Sequence, residues 1–137
     1  MDNYNNLILM LKEKETGFFV RTIGSYEIHK NMEYIDKIYA VQIGDSIFIY
    51  LTLTTHDIEE DWKYSGIFDL YDKEIFSNRK CEFEELSGDY NPKWVLKIKY
   101  SNNDTETEKL LNDLLNIHVA EIERVIPIIN PDDYKEE

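Results

Sequence analysis

The sequence predicts an α+β domain in which an antiparallel meander of six or seven strands forms a curved sheet or split barrel, covered by one long C-terminal helix. Three observations carry this. Apolar residues recur at every second position in several stretches up to Tyr100, the period of half-buried strands. After Asn102 the period becomes that of an amphipathic helix. Neither part can stand alone, because a one-faced sheet needs a cover and a striped helix needs a floor.

Leu7 to Leu11, the first element, is apolar at every position, as in a strand covered on both sides. Phe18 to Ile28 comes next, after Glu15-Thr16-Gly17, where glycine supplies the positive φ of a hairpin turn. Tyr34 to Ile43 leads through Gly44-Asp45-Ser46 into Ile47–Thr54, whose Ile47, Ile49, Leu51 and Leu53 form one face and Phe48, Tyr50, Thr52 and Thr54 the other. Ser65 to Tyr71 and Arg79 to Leu86 are two further strand candidates. Past the Gly/Pro-punctuated loop 87–92, Trp94, Leu96, Ile98 and Tyr100 alternate with Val95, Lys97 and Lys99, giving the last strand a wet cationic face. Lys93, Lys97 and Lys99 are suited to balance a neighbouring acidic strand carrying Glu82, Glu84 and Glu85.

Leu110, Leu111, Leu114, Leu115, Ile117, Ile122 and Val125 then recur at helical spacing. Thr105-x-x-Glu108 reads as a capping box, and Pro127 stops a helix of about 20 residues, roughly 30 Å long. Residues 1–130 make one domain and 131–137 a frayed acidic tail. The order of about seven strands and then one helix resembles the pleckstrin-homology-like superfold, a split barrel closed at one end by its terminal helix. In that family a helical Trp and a basic first hairpin are common. Here the helix has no Trp and Lys12-Glu13-Lys14-Glu15 alternates base with acid, so the resemblance implies the fold and not phosphoinositide binding.

With 137 residues, 42% hydrophobic, the chain suits one folded domain and is too short for two cores. Its 28 acidic against 15 basic residues leave a net charge of -13, which argues against nucleic acid or an anionic membrane as direct partner. The acidity is uneven: residues 56–92 and 104–137 each carry -7, residues 1–55 carry -2, and 93–103 carry +3. A lone Cys81, no signal-like start and no span-length apolar run point to a reducing, cytoplasmic setting. With only Ala40 and Ala120 for alanine and abundant Ile, Asn, Lys and Tyr, the composition suits an AT-rich bacterial genome.

Motifs of chemistry are sparse. The five glycines are isolated, so no phosphate loop forms, and no nucleophile elbow is present. No cofactor is implied and no catalytic residue stands out. His56-Asp57-Ile58-Glu59-Glu60-Asp61 gathers an imidazole and four carboxylates, making His56, Asp57, Glu60 and Asp61 weak metal candidates. Trp62 stands where an EF-hand loop needs glycine, and a solvated loop is the simpler account. His118 falls within the apolar arc of the helix, so it faces the sheet, either as a satisfied core imidazole or as the lining of a pocket. Trp62, Tyr64, Tyr90 and Trp94 lie in or beside loops, where large aromatics serve as binding anchors or as a cap over a barrel end. The expected function is therefore a non-catalytic module that engages another protein, the acidity being suited to a basic one. The alternatives are a neutraliser of a basic effector, such as an immunity protein or nucleic-acid mimic, and a small-ligand binder or enzyme with a pocket near His118.

Overall fold

A computed structural model describes residues 5–55, 58, 60–77, 79–86 and 91–134. It has six strands, β1 (Asn5–Lys12), β2 (Phe19–Ile28), β3 (Ile35–Ile43), β4 (Ser46–Leu53), β5 (Cys81–Leu86) and β6 (Lys93–Lys99). Two helices join them, α1 (Asp61–Leu70) and α2 (Asp104–Val125). The fold is α+β, with one sheet in the order β2-β1-β3-β4-β6-β5. The hairpin turns sit where the sequence places them, with Gly17 at φ 77° and Gly44 at φ 63°.

The sheet is mixed, not a purely antiparallel meander. β2 folds back on β1, and the chain then crosses through Asn31, at φ 67°, and a short 3-10 turn at Met32–Tyr34 to reach the other side of β1. β3 therefore runs parallel to β1, pairing Leu11 with Ala40 and Lys12 with Val41. The strand expected at Ser65–Tyr71 is instead the second half of α1, with Tyr71 as its C-cap, so the helical layer has two members and the sheet six strands. This order departs from the meander on which the pleckstrin-homology-like resemblance rests. The sheet is curved: Tyr100 Oη, beyond the end of β6, donates to the Ile23 carbonyl of β2 at 3.1 Å. It stays open, because β2 pairs only with β1 and β5 only with β6 among the described residues.

The helices cover one face. Leu7, Leu9, Leu11, Tyr26, Ile28, Ala40, Ile49, Leu51, Leu53, Trp94, Leu96 and Ile98 meet Leu111, Leu114, Leu115, Val119, Ile122 and Val125 in one core. The continuous apolar run of β1 is thus covered on one side only, and Ile8 is 49% exposed on the other, for want of a second layer. α2 is capped by Asn103, whose Oδ1 accepts the Glu106 amide at 3.0 Å, and not by Thr105. Asn103 precedes Thr105 in the chain and satisfies the first amides itself. Glu108, freed from capping, reaches the Glu27 amide of β2 at 2.6 Å. The C-terminal segment returns to α1, where Ile129 packs on Gly66 and Tyr134 Oη donates to Asp69 at 2.7 Å.

Candidate functional site

His118 is fully buried, facing the sheet as its helical position requires. Its Nε2 lies 2.7 Å from the Thr54 carbonyl and its Nδ1 2.8 Å from Tyr71 Oη. A carbonyl only accepts, which places the proton on Nε2 and makes Nδ1 the acceptor of the Tyr71 hydroxyl. Burial lowers the imidazole to about 4, against partial support from Thr54 and Glu121, so the ring is neutral near pH 7. Burial likewise raises the Tyr71 phenol, with Glu121 and Glu85 adding to it. Both ring nitrogens and the hydroxyl are taken by internal bonds. This arrangement holds α2 to the end of β4 and to the exit of α1.

Next to it, Glu121 Oε2 accepts the Asp72 amide at 2.7 Å and Arg124 Nη2 at 2.6 Å, while Arg124 Nη2 also reaches the Leu70 carbonyl at 3.2 Å. The C-terminal end of α1 is thereby closed by two side chains of α2, a cation at the negative pole and an acceptor for the amide beyond it. Burial raises the Glu121 carboxyl, but the bonds from Arg124 and Asp72 outweigh this and hold it below its ordinary value.

Trp94 is a core residue, 0% exposed, stacked on Tyr71 at 4.4 Å between ring centres. Trp62 is half-buried with Lys63 Nζ 5.6 Å from its ring centre, and Tyr64 packs edge-on against Phe68. Tyr90, His56 and Asp57 lie outside the described residues. Glu60 is the residue before α1 and Asp61 its first, and the described residues contain no group of three His, Cys, Asp or Glu able to hold a metal. The Cys81 thiol is half-buried, and burial raises it against a lowering influence from Arg79.

Two surfaces stand out instead. On the uncovered face the register sets Tyr39, Tyr50, Lys97 and Glu82 in a row across β3, β4, β6 and β5. Tyr39 and Tyr50 stack at 5.5 Å, Lys97 Nζ lies 4.5 Å from the Phe48 ring centre and 3.7 Å from Glu82, and Lys12 Nζ covers Tyr39 at 4.7 Å. The acidic strand does neighbour the lysines, and Lys ammoniums and stems shield the aromatic rings.

The second surface is the free edge of β2. At its C-terminal end the edge is closed by α2: Glu108 accepts the Glu27 amide, Asn112 Nδ2 donates to the Glu27 carbonyl at 2.9 Å, and Asn112 Oδ1 accepts the His29 amide at 3.0 Å. Before Ile23, whose carbonyl takes the Tyr100 hydroxyl, the N-terminal residues Phe19–Thr22 have no such cover among the described residues. Phe18 is 72% exposed, Phe19 54% and Val20 52%, three large apolar side chains in succession. Sequence reasoning did not single these out, although three consecutive apolar residues directly after a turn carry a signal: a strand buries alternate residues only, so one face must leave its apolar side chains outside.

A family model matches residues 1–137, end to end. The chain belongs to the DUF6762 family, a family of unknown function. No curated protein and no solved structure matches it. No helix among the described residues of this DUF6762 member is long and apolar enough to cross a membrane.

Proposed function

We propose that the protein is a non-catalytic interaction module that binds another protein through the N-terminal half of β2, with the partner adding an extended segment to the free edge. The observation that carries this reading is the succession Phe18-Phe19-Val20, exposed on an edge strand whose other end is closed by α2. Free strand edges bearing apolar side chains are templates for pairing with another chain, and folded proteins ordinarily blunt them. Here one end is blunted by Glu108 and Asn112, and the apolar end is left open. The buried side chains of His118 and Trp94 support the rest of the reading, since they serve packing and leave the surface as the place for function.

The test is capture of partners from a lysate of the source organism at roughly 0.15 M and at 1 M salt, between which the screening length falls from about 8 to 3 Å. A partner held by apolar contact and strand pairing stays bound at high salt, and Val20→Lys removes it while the variant keeps its melting temperature. A basic partner released by salt and indifferent to Val20→Lys contradicts the edge reading and favours neutralisation of a basic effector.

A further inference from the structure

We infer that the uncovered face of the sheet binds single-stranded nucleic acid, its phosphates meeting lysines and its bases stacking on the aromatic rings between them. The register builds this face. Lys12 pairs with Phe19 on one side and Val41 on the other, Val41 with Phe48, and Phe48 with Lys99, so one row crosses β2, β1, β3, β4 and β6. Leu11, Ala40, Ile49 and Ile98, each one position from a member of this row, are buried in the core, so the row points away from the helices. The next row sets Tyr39, Tyr50 and Lys97 side by side, and Lys37, two residues before Tyr39, shares their face opposite Thr52. Contacts across the strands agree with this: Lys12 Nζ lies 4.7 Å from the Tyr39 ring centre, and Lys97 Nζ lies 4.5 Å from that of Phe48 and 6.0 Å from that of Tyr50.

The net charge of -13 opposes a polyanion at long range, but the charge is segregated. α2 alone carries six carboxylates against Lys109 and Arg124, and it lies on the covered face. A helix is about 10 Å thick, more than the roughly 8 Å screening length at physiological salt, so much of that acidity is out of reach of a ligand on the other face. The carboxylates of the uncovered face stand at its margins. Glu82 and Glu84 lie on β5, Glu82 3.7 Å from Lys97 Nζ; Asp36 lies 3.4 Å from Lys93 Nζ; and Glu27 is at the far end of β2. The row from Phe19 to Lys99 contains none. Lysines interleaved with aromatic rings on an open sheet match a single strand, whose unpaired bases stack without regard to sequence while its phosphates are neutralised. A duplex hides its base faces, and a polyglutamate chain has no rings to stack. In the free protein the ammoniums of Lys12 and Lys97 rest over the rings. Such an ammonium is held more weakly than a stacked base, so the base takes the ring and the ammonium turns to the phosphate.

The experiment titrates the full chain into fluorescein-labelled oligo(dT) of about 12 nucleotides at roughly 0.05 M salt and follows the anisotropy. The expected result is saturable binding, at least tenfold tighter than to a labelled duplex of the same length or to labelled polyglutamate. Lys12→Glu with Lys99→Glu weakens it at least tenfold, as does Tyr39→Leu with Tyr50→Leu, which keeps apolar bulk but removes the rings. Lys30→Glu with Lys109→Glu, the same change in net charge at exposed positions outside the strands, leaves it unaltered. Absence of binding overturns the inference, and so does equal affinity for the duplex or for polyglutamate, or undiminished binding to the Lys12/Lys99 variant. The comparison of ligands needs no variant, so it decides even if a substitution disturbs the fold.

Discussion

The Nε2 of His118 stands 2.7 Å from the carbonyl oxygen of Thr54, joining the middle of α2 to the end of β4 inside the core. The Thr54 bond survives protonation, but burial and the Tyr71 hydroxyl's bond to Nδ1 both need a neutral ring, so acid opposes the arrangement. The imidazole sits at about 4 in the fold and near 6.5 when exposed, so the unfolded chain binds more protons between those values. Stability is therefore full above about pH 6.5 and declines as pH falls toward 4. The loss is about 3 kcal/mol at roughly 1.4 kcal/mol per pH unit. Urea melts at pH 7 and 4.5 measure it. His118→Gln removes this part of the pH dependence, and His118→Leu, which orphans the Thr54 carbonyl and Tyr71 hydroxyl, costs about 2–5 kcal/mol at pH 7.

Closure of the α1 end by Glu121 and Arg124 makes a different prediction, because it concerns one element. Glu121→Ala strips the Asp72 amide and Arg124 of their acceptor and costs about 2–4 kcal/mol. Amide hydrogen exchange in 61–72 accelerates more than that in β3 and β4. Uniform acceleration across the chain argues against a local role.

Gly66 and Ile129 give a test of packing. An added Cβ at Gly66 meets Ile129 Cγ2 at 2.5 Å, too close for an unshifted fold. Alanine ordinarily improves a helix interior by about 1 kcal/mol. Gly66→Ala is instead expected to lower the melting temperature, and Gly66→Ala with Ile129→Ala to recover part of the loss. A gain in stability from the single variant contradicts the close packing of the C-terminal segment on α1.

Tyr26 supplies the opposite case. Its ring lies against Gly24, where a Cβ would collide with Oη, and the hydroxyl is buried beside Thr107 and Asp104 without a hydrogen bond of good geometry among the described residues. Burial raises its phenol accordingly, with Tyr100 and Asp104 adding to it. An unmade bond stabilises nothing, so Tyr26→Phe leaves stability unchanged or raises it by about 1 kcal/mol, read from thermal melts.

Local patterning made much of this legible. The alternation in Ile47–Leu53 gives β4 and both its faces, the arc of Leu111, Leu114, Leu115 and Ile122 gives α2 and the burial of His118, and Trp94 already belongs with Leu96 and Ile98 on the apolar side of β6. What stayed hidden depends on long-range contacts. In α1 only Gly66 and Ile67 are buried, and the helix is held at its end by Glu121 and Arg124 and on its side by Ile129, so its own sequence carries no clear stripe. The parallel pairing of β1 with β3 is set by where the chain crosses after Ile28, which periodicity does not record.

The proposal that the open half of β2 receives a partner strand is tested most directly by hydrogen exchange of the full chain, free and bound to its captured partner. The account predicts that the amides of Phe19–Thr22 slow at least tenfold on binding, while those of α1 and the exposed turns of α2 do not change. Protection confined to α1 and the acidic C-terminal segment, with β2 exchanging as in the free protein, would contradict it.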